Sequence, residues 1–267
     1  MESLPRIERI LGNRLWGWLL FAPTRQPLPC DKRRLEVPVG GASVELWLDS
    51  FGSERSSRRP NLVVLRLLGA RGRGELATRD PARLLPDVAS VVATVNPPGF
   101  GGSPGPCGLL QYFAAIGAAY DALAKQHPDS KIWVHGKSIG GLGALYLAGT
   151  RAPAAIVVRN VVDPCGIARH FVGRVGRALP DALDAMLWAS ACRCPALFVI
   201  SRDDRLARPR LQRQVVGAYG GDVEYLDVGG AHDERTLAPV DESSYTESLR
   251  RLWVRGLRRS DSQKRIE

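Results

Sequence analysis

The sequence predicts an α/β protein built on a mostly parallel, doubly wound sheet. Nearly continuous apolar runs recur at 62–68, 89–95, 154–162 and 196–201, and a last strand is predicted at 223–228. Such runs are typical of strands buried on both faces of a parallel sheet. Stretches with apolar residues at helical spacing lie between them, and strands that alternate with helices favour this architecture.

The elements before and between these strands follow from local signals. Residues 34–39 and 43–49 flank two glycines and predict a β-hairpin. A helix is predicted after the second buried strand, ending at Pro128, with four core side chains on one face: Phe113, Ile116, Tyr120 and Leu123. The longest stretch without a strand, 165–194, predicts one or two helices.

Three further elements complete the predicted fold. A helix carrying Leu211, Val215, Val216 and Tyr219 precedes the last strand. A C-terminal helix is predicted over 243–257, and the polar tail over 258–267 is expected to be frayed. With 267 residues and no internal repeat or linker, we expect one domain over 1–267, with its core over 34–257.

The charge is strongly basic, with a formal net charge of +10 and a pI near 9.8. Such a balance would allow an anionic partner. Arginine is nevertheless scattered along the chain, apart from a modest cluster near the C-terminus, and a compositional bias explains it as well as a binding stripe does. We therefore expect no nucleic-acid partner.

The cysteines and apolar segments favour a cytoplasmic protein. The five cysteines, at positions 30, 107, 165, 192 and 194, show neither disulfide nor zinc spacing. The apolar patch at 15–22 follows three arginines but is short and interrupted by Gly17. No run reaches the roughly 18 apolar residues of a membrane helix. We expect an N-terminal helix packed on its own domain, with a peripheral membrane contact as the open alternative.

Residues 131–143, K-I-W-V-H-G-K-S-I-G-G-L-G, are the most informative stretch. A strand-like run passes directly into G-K-S-I-G, and a helical stretch follows. A serine in so tight a turn is held clear of the sheet, and the residues two places away must be nearly without side chains, as Gly136 and Gly140 are. This G-x-S-x-G pattern in a strand–turn–helix context predicts that Ser138 is a nucleophile.

A rival pattern ends in the same residues. Gly136, Lys137 and Ser138 also match the end of the phosphate-binding loop G-x-x-x-x-G-K-[ST]. That loop requires glycine at position 131, where this chain has lysine, and the intervening residues are typical of a strand. The nucleophile interpretation is therefore favoured, with Lys137 either meeting an anionic substrate or reaching into neighbouring loops.

The partners of Ser138 are sought at other strand ends, because the carboxyl ends of parallel strands meet at one edge of the sheet. His232 follows the last strand and is the single histidine downstream of the best candidate acids. Asp204 and its neighbour Asp203 follow the strand at 196–201, and Asp163 follows the strand before it. The other histidines fall at a helix end, on a strand and in the helical stretch: His127, His135 and His170.

Taken together, these motifs resemble those of the α/β-hydrolase superfamily, which includes serine esterases, thioesterases and serine aminopeptidases. The order Ser, Asp, His is the one that this family uses. The resemblance implies an α/β-hydrolase fold with a small helical cap at 165–194, and neither cofactor nor metal. D-R-L-A-R-P at 204–209 resembles the family's acid loop, in which the Asp before the Arg is catalytic, and this favours Asp204.

The resemblance also implies an oxyanion hole. One donor would be the backbone N–H of Ile139, the residue after the nucleophile. The second would come from the loop after the strand at 62–68, where Leu68-Gly69-Ala70 stands in place of the family's His-Gly-x. We expect the N–H of Ala70, with that of Gly69 as the next choice. Leucine in place of histidine departs from the family pattern.

Two neighbouring segments have competing interpretations. The arginines of the glycine-rich loop, Arg71 and Arg73, would suit an anion, as an alternative to an oxyanion loop. The segment N-P-P-G-F-G-G-S at 96–103 resembles the turn that the family carries after its fourth strand, and it is expected to be structural.

The sequence thus predicts a serine hydrolase that cleaves an ester or thioester, with an amide also open, through an acyl-serine intermediate. His232 would accept the proton of Ser138, and Asp204 would stabilise the imidazolium. The substrate would be a small acyl compound, whose apolar group is suggested by Phe171, Met186 and Trp188. Peptidase and acyltransferase activities stay open, as does a non-catalytic binding or scaffold protein of the same fold.

Overall fold

A computed structural model describes residues 15–51, 59–172, 179–234 and 236–263. Within them, eight strands form one sheet in the order β1-β2-β4-β3-β5-β6-β7-β8. Strand β2 is antiparallel to β1 and β4, and all other neighbours are parallel. The strands are β1 (Arg33–Val39), β2 (Ala42–Phe51), β3 (Leu62–Leu67), β4 (Ser90–Asn96), β5 (Lys131–Lys137), β6 (Ala155–Arg159), β7 (Ala196–Ser201) and β8 (Val223–Val228).

Helices cover both faces of the sheet, so the doubly wound prediction is confirmed. Six of them are α1 (Leu109–Gln126), α2 (Ile139–Thr150), α3 (Pro164–Val172), α4 (Ala185–Ala191), α5 (Pro209–Gly217) and α6 (Pro239–Gln263). Residues 15–20 are also helical. No helix in the described ranges is long and apolar enough to cross a membrane.

The buried strands explain the continuous apolar runs. Strands β3, β4, β6 and β7 are buried along their whole length. Within β3, Val63 and Leu65 contact the core shared with α1, α2, α4 and α5, while Leu62 and Val64 contact the core shared with α6. Successive side chains of a strand point to opposite faces, so both faces must be apolar.

The N-terminal helical segment packs on the domain, as predicted. Phe21 is buried in the core, and Trp16 and Leu20 pack against it. Gly17 allows the segment to approach closely, because a Cβ atom there would lie 2.0 Å from the carbonyl oxygen of Cys107. The backbone N–H of Ala22 then donates to the carbonyl of Ala70, 2.9 Å away, and ties the segment to the loop after β3.

Two predicted boundaries were wrong. The run at 154–162 forms a strand only to Arg159, because Asn160 adopts a left-handed conformation with φ of 50°. The C-terminal helix was predicted over 243–257, but α6 spans Pro239–Gln263, and residues 264–267 of the tail lie outside the described ranges. Residues 52–58, in the predicted polar loop, lie outside the described ranges.

Candidate active site

The turn between β5 and α2 holds Ser138 in a strained conformation, with φ of 59° and ψ of −124°. Non-glycine residues rarely adopt positive φ. The turn is closed by two contacts that exclude side chains. A Cβ atom at Gly136 would lie 2.2 Å from the carbonyl oxygen of Gly140, and one at Gly140 would lie 2.2 Å from that of Leu67. The glycine spacing of the motif follows from these two contacts.

Three predicted residues from separate loops meet at this turn. His232 Nε2 lies 2.8 Å from Ser138 Oγ, and His232 Nδ1 lies 2.7 Å from Asp204 Oδ2. Asp204 is 3% exposed and His232 is 8% exposed. An ionised carboxylate can only accept a hydrogen bond, so Nδ1 carries the proton and Nε2 is left to accept the serine hydroxyl. This arrangement can take a proton from Ser138.

The acid loop after β7 fixes the carboxylate of Asp204. Its Oδ1 accepts the backbone N–H groups of Leu206 at 2.9 Å and Ala207 at 2.7 Å. Gln212 of α5 donates to Oδ2 from 3.3 Å. Gln212 could not be predicted from the sequence, because its contact depends on how α5 folds back onto the loop and no spacing rule marks it.

The other two candidate acids have different neighbours. Asp203 is exposed, and its backbone N–H donates to Gly230. Asp163 is buried, accepts the N–H of Ala185 at 3.2 Å and lies 3.5 Å from Arg169. Burial raises the pKa of Asp163 above its ordinary value. Of the three candidates, the structure brings only Asp204 into contact with His232.

The loop that carries His232 is anchored by residues that sequence reasoning missed. Asn160 Nδ2 donates to the carbonyl of His232 at 3.2 Å, and its Oδ1 accepts the N–H of Ser201 at 2.9 Å. Two residues after His232, the carbonyl of Glu234 accepts hydrogen bonds from Lys137 Nζ at 3.2 Å and Arg159 Nη2 at 3.0 Å. Lys137 therefore reaches into the neighbouring loop, which was one of its two predicted roles.

The predicted oxyanion donors flank Ser138. Ile139 begins α2, whose positive dipole end points its free N–H groups toward this turn. On the other side, a Cβ atom at Gly69 would lie 3.4 Å from Ser138 Cβ, so the loop after β3 passes close to the serine. The carbonyl of Ala70 is bound by Ala22. The two backbone segments thus lie on either side of Ser138.

A buried polar network contacts the loop after β3. Arg73 forms an ion pair with Glu75, and both are buried. Asn96 Nδ2 donates to Glu75 at 2.9 Å and to Glu45 at 3.0 Å, while Asn96 Oδ1 accepts the N–H of Gly74 at 2.7 Å. Because the guanidinium of Arg73 is engaged here, the anion-binding alternative does not apply to it. The turn that begins at Asn96 is structural, as expected.

The apolar residues of the 165–194 stretch have packing roles. Trp188 contacts the rings of Tyr146 and Phe113, with centroid distances of 5.1 and 6.5 Å. Met186 packs against the same core. The side chain of Phe171 lies outside what the structure describes. Trp188 was one of the apolar residues that suggested an acyl-binding cap. Its apolar character is explained by packing on α1 and α2.

No protein-family model and no curated protein matches the sequence. Solved structures do match its fold. The esterase Est1E of Butyrivibrio proteoclasticus, with ferulic acid bound, is 16% identical at a TM-score of 0.65, covering 84% of this chain and 99% of its own. An esterase of Pyrococcus furiosus is 15% identical at a TM-score of 0.65, covering 90% of this chain and 99% of its own.

A longer protein matches in the same way. The acylaminoacyl peptidase of Pyrococcus horikoshii is 14% identical at a TM-score of 0.62, covering 85% of this chain. This chain spans 41% of the peptidase's length. These matches and the sheet order show that the chain has the α/β-hydrolase fold. At such identities the likeness concerns the fold, and activity must be argued from the site.

Proposed function

We propose that this chain is a serine hydrolase that cleaves an ester or thioester bond through an acyl-serine intermediate. The observation that carries the proposal is the continuous hydrogen-bonded line from Asp204 through His232 to Ser138. A serine hydroxyl is a weak nucleophile at neutral pH and needs an adjacent base that a third group orients. All three groups come from this chain, so the proposed chemistry requires no cofactor.

The reaction would run in two steps. Ser138 Oγ attacks the acyl carbonyl while His232 Nε2 takes its proton, and Asp204 stabilises the imidazolium. The negative oxygen that forms is stabilised by the N–H of Ile139 and that of Ala70 or Gly69. When the intermediate collapses, His232 gives the proton to the leaving alcohol or thiol. Water then attacks the acyl-serine by the same route and releases the acid.

The choice of bond rests on leaving groups and fold neighbours. Alcohols and thiols leave more readily than amines, so an ester or thioester demands less of the site than an amide does. Two of the structural matches reported above are esterases, and one is a peptidase. Amide cleavage is the second candidate on that basis. A small acyl compound is the proposed substrate class.

Labelling by a fluorophosphonate probe tests the proposal directly. We expect the intact protein to be labelled, and Ser138→Ala and His232→Ala to remain unlabelled while keeping their circular dichroism. Ser190→Ala, which changes an exposed serine, is the matched control and should be labelled like the intact protein. A folded intact protein that stays unlabelled at high probe concentration would favour the non-catalytic binding protein instead. If labelling succeeds, p-nitrophenyl esters and thioesters of increasing chain length define the substrate.

A further inference from the structure

A cluster of cationic side chains lies on the α6 face of the sheet, behind the candidate active site. Arg66 of β3 is the register partner of His135 of β5, and Arg159 of β6 is the partner of Lys137. Alternate residues of one strand and paired residues of neighbouring strands share a face. Arg66, His135 and Arg159 are 9%, 4% and 7% exposed, so they are more than nine-tenths buried.

The guanidinium groups of this cluster contact neutral oxygens rather than carboxylates within the described ranges. Among the described residues, neither Arg66 nor Arg159 forms a salt bridge with a carboxylate, and their partners are neutral oxygens of Thr78 and Glu234. The carboxylate that acts most strongly on Arg66 is Asp80, which is already paired with Arg83. Buried charges are normally paired, since removal of an ion from water is costly.

Hydrogen-bond donors in the cluster are also unfilled. Arg66 Nε, Arg159 Nε and both ring nitrogens of His135 are buried and have no partner at hydrogen-bond geometry within the described residues. Burial, followed by the positive charges of Arg66, Arg159 and Lys137, lowers the pKa of His135 well below its ordinary value, and the opposing effect of the backbone carbonyl of Asp80 is smaller. The ring is therefore neutral and offers one N–H. Buried polar groups without partners are rare in native proteins and point to a missing ligand.

We propose that Arg66, His135 and Arg159 form a binding site for a small inorganic anion, of the size range from chloride to phosphate. The anion would accept the three spare N–H groups and offset the positive charge of the two guanidinium groups. A buried water molecule could accept these hydrogen bonds, but it would leave the positive charge of Arg66 and Arg159 uncompensated. The charge balance therefore favours an anion over water.

The site adjoins the loop of His232 without resting on the proposed hydrolysis. Arg159 donates through Nη2 to the carbonyl of Glu234, and Lys137 donates to the same oxygen. An anion bound to Nε of Arg159 would fix the position of its guanidinium group. The hydrogen bond from Arg159 to Glu234 would therefore be stabilised as well. Binding would thus steady the loop two residues from the candidate base.

Thermal unfolding of the full chain in defined anions tests the site without any activity measurement. Chloride and phosphate are titrated separately at constant ionic strength, which is maintained with the bulky anion gluconate. A ligand that binds only the folded state raises Tm, and at ten times its Kd the rise for a chain of this size is about 3–6 °C. We expect a saturable rise in Tm for at least one of the two anions. The anion that produces this rise is the one that the site binds.

Substitution separates the site from a general salt effect. Arg66→Met removes one buried charge at similar volume, so we expect a higher Tm than that of the intact protein in gluconate alone, and no saturable rise. Arg213→Met is the matched control, because Arg213 is an exposed arginine paired with Asp227, and it should keep the full rise. Equal responses in Arg66→Met and the control would overturn the proposal.

A direct measurement covers the case in which Arg66→Met does not fold. Chloride-35 line broadening by the intact protein should be saturable and should be reversed by phosphate if the two anions compete for one site. His135→Leu, which removes the ring N–H, should lower the affinity for the bound anion at least tenfold. Absence of both line broadening and a saturable Tm rise in the intact protein contradicts the site.

Discussion

Asp203 and Asp204 are adjacent in the chain, but only one of their carboxylates contacts His232. Both follow the same strand, but Asp204 is buried at the ring of His232 while Asp203 is exposed. The difference comes from the tight turn after β7, in which the N–H groups of Leu206 and Ala207 capture one carboxylate. Residue type and spacing allowed Asp163 and Asp203 as alternatives, and only the family's loop pattern favoured Asp204.

This difference predicts unequal effects of three matched substitutions. Asp204→Asn should lower kcat on a p-nitrophenyl ester by about 10⁴-fold, because the amide can neither stabilise the imidazolium nor hold the productive tautomer. Asp203→Asn should leave kcat within about twofold. Asp163→Asn tests the remaining candidate and should retain most of kcat. A large loss in either of the latter two, with Asp204→Asn active, would move the acid to that position.

At the scale of elements, the strand–turn–helix unit of β5 and α2 could be predicted because its constraint is local. Gly140 is required because the carbonyl of Leu67 approaches it closely. The motif predicts the glycine, but it does not show that Leu67 is the neighbour. Gly140→Ala should destabilise the protein by about 1–3 kcal/mol through overpacking and should slow probe labelling. Gly217→Ala, in α5 with nothing within 4 Å of the new Cβ, should instead stabilise by up to about 1 kcal/mol. Equal unfolding midpoints in urea would contradict the prediction.

The connection between β6 and the His232 loop could not be predicted, because it depends on residues far apart in the chain. Asn160 looks like the middle of an apolar strand in the sequence, yet its amide spans to Ser201 and His232. The apolar periodicity of a sequence cannot predict a residue with left-handed backbone whose side chain bridges two loops. The residues that meet at the turn of Ser138 could be predicted, whereas the residues that hold them in place could not.

Two substitutions at this position separate backbone strain from side-chain contacts. Asn160→Gly accepts the positive φ of 50° but removes the amide, while Asn160→Ala removes the amide and adds strain. If the amide positions His232, both should lower kcat with little change in KM, and Asn160→Ala should be the less stable of the two. An unchanged kcat in Asn160→Gly would show that the amide serves stability alone.

At the scale of the whole molecule, the parallel sheet could be predicted because long-range order follows from apolar runs that must be buried on both faces. The buried polar groups could not be predicted in the same way. Glu75 and Asn96 lie at strand and loop ends and are joined in a network that supports the loop beside Ser138. The stability of that network depends on charge, so it should be visible as a dependence of folding on pH.

Glu75 makes the pH dependence specific. Burial raises the pKa of its carboxyl, but hydrogen bonds from Arg73 and Asn96 outweigh that effect and hold the pKa below its ordinary value of 4.5. A carboxyl with a lowered folded pKa stabilises the fold above its unfolded pKa and loses this contribution as the pH falls through the folded value. Glu75→Gln should therefore have a lower Tm than the intact protein at pH 7, and the difference should shrink as the pH falls below 4.5.

The comparison isolates Glu75 from the other acids. Burial raises the pKa of Asp163, so its protonation favours the folded state at low pH, but this contribution is present in both proteins and cancels in the difference. Glu36→Gln, which changes an exposed carboxylate, is the control and should follow the intact protein across the range. Parallel Tm curves for Glu75→Gln and the intact protein would mean that Glu75 titrates alike in both states. The support beneath the loop beside Ser138 would then depend on shape rather than on charge.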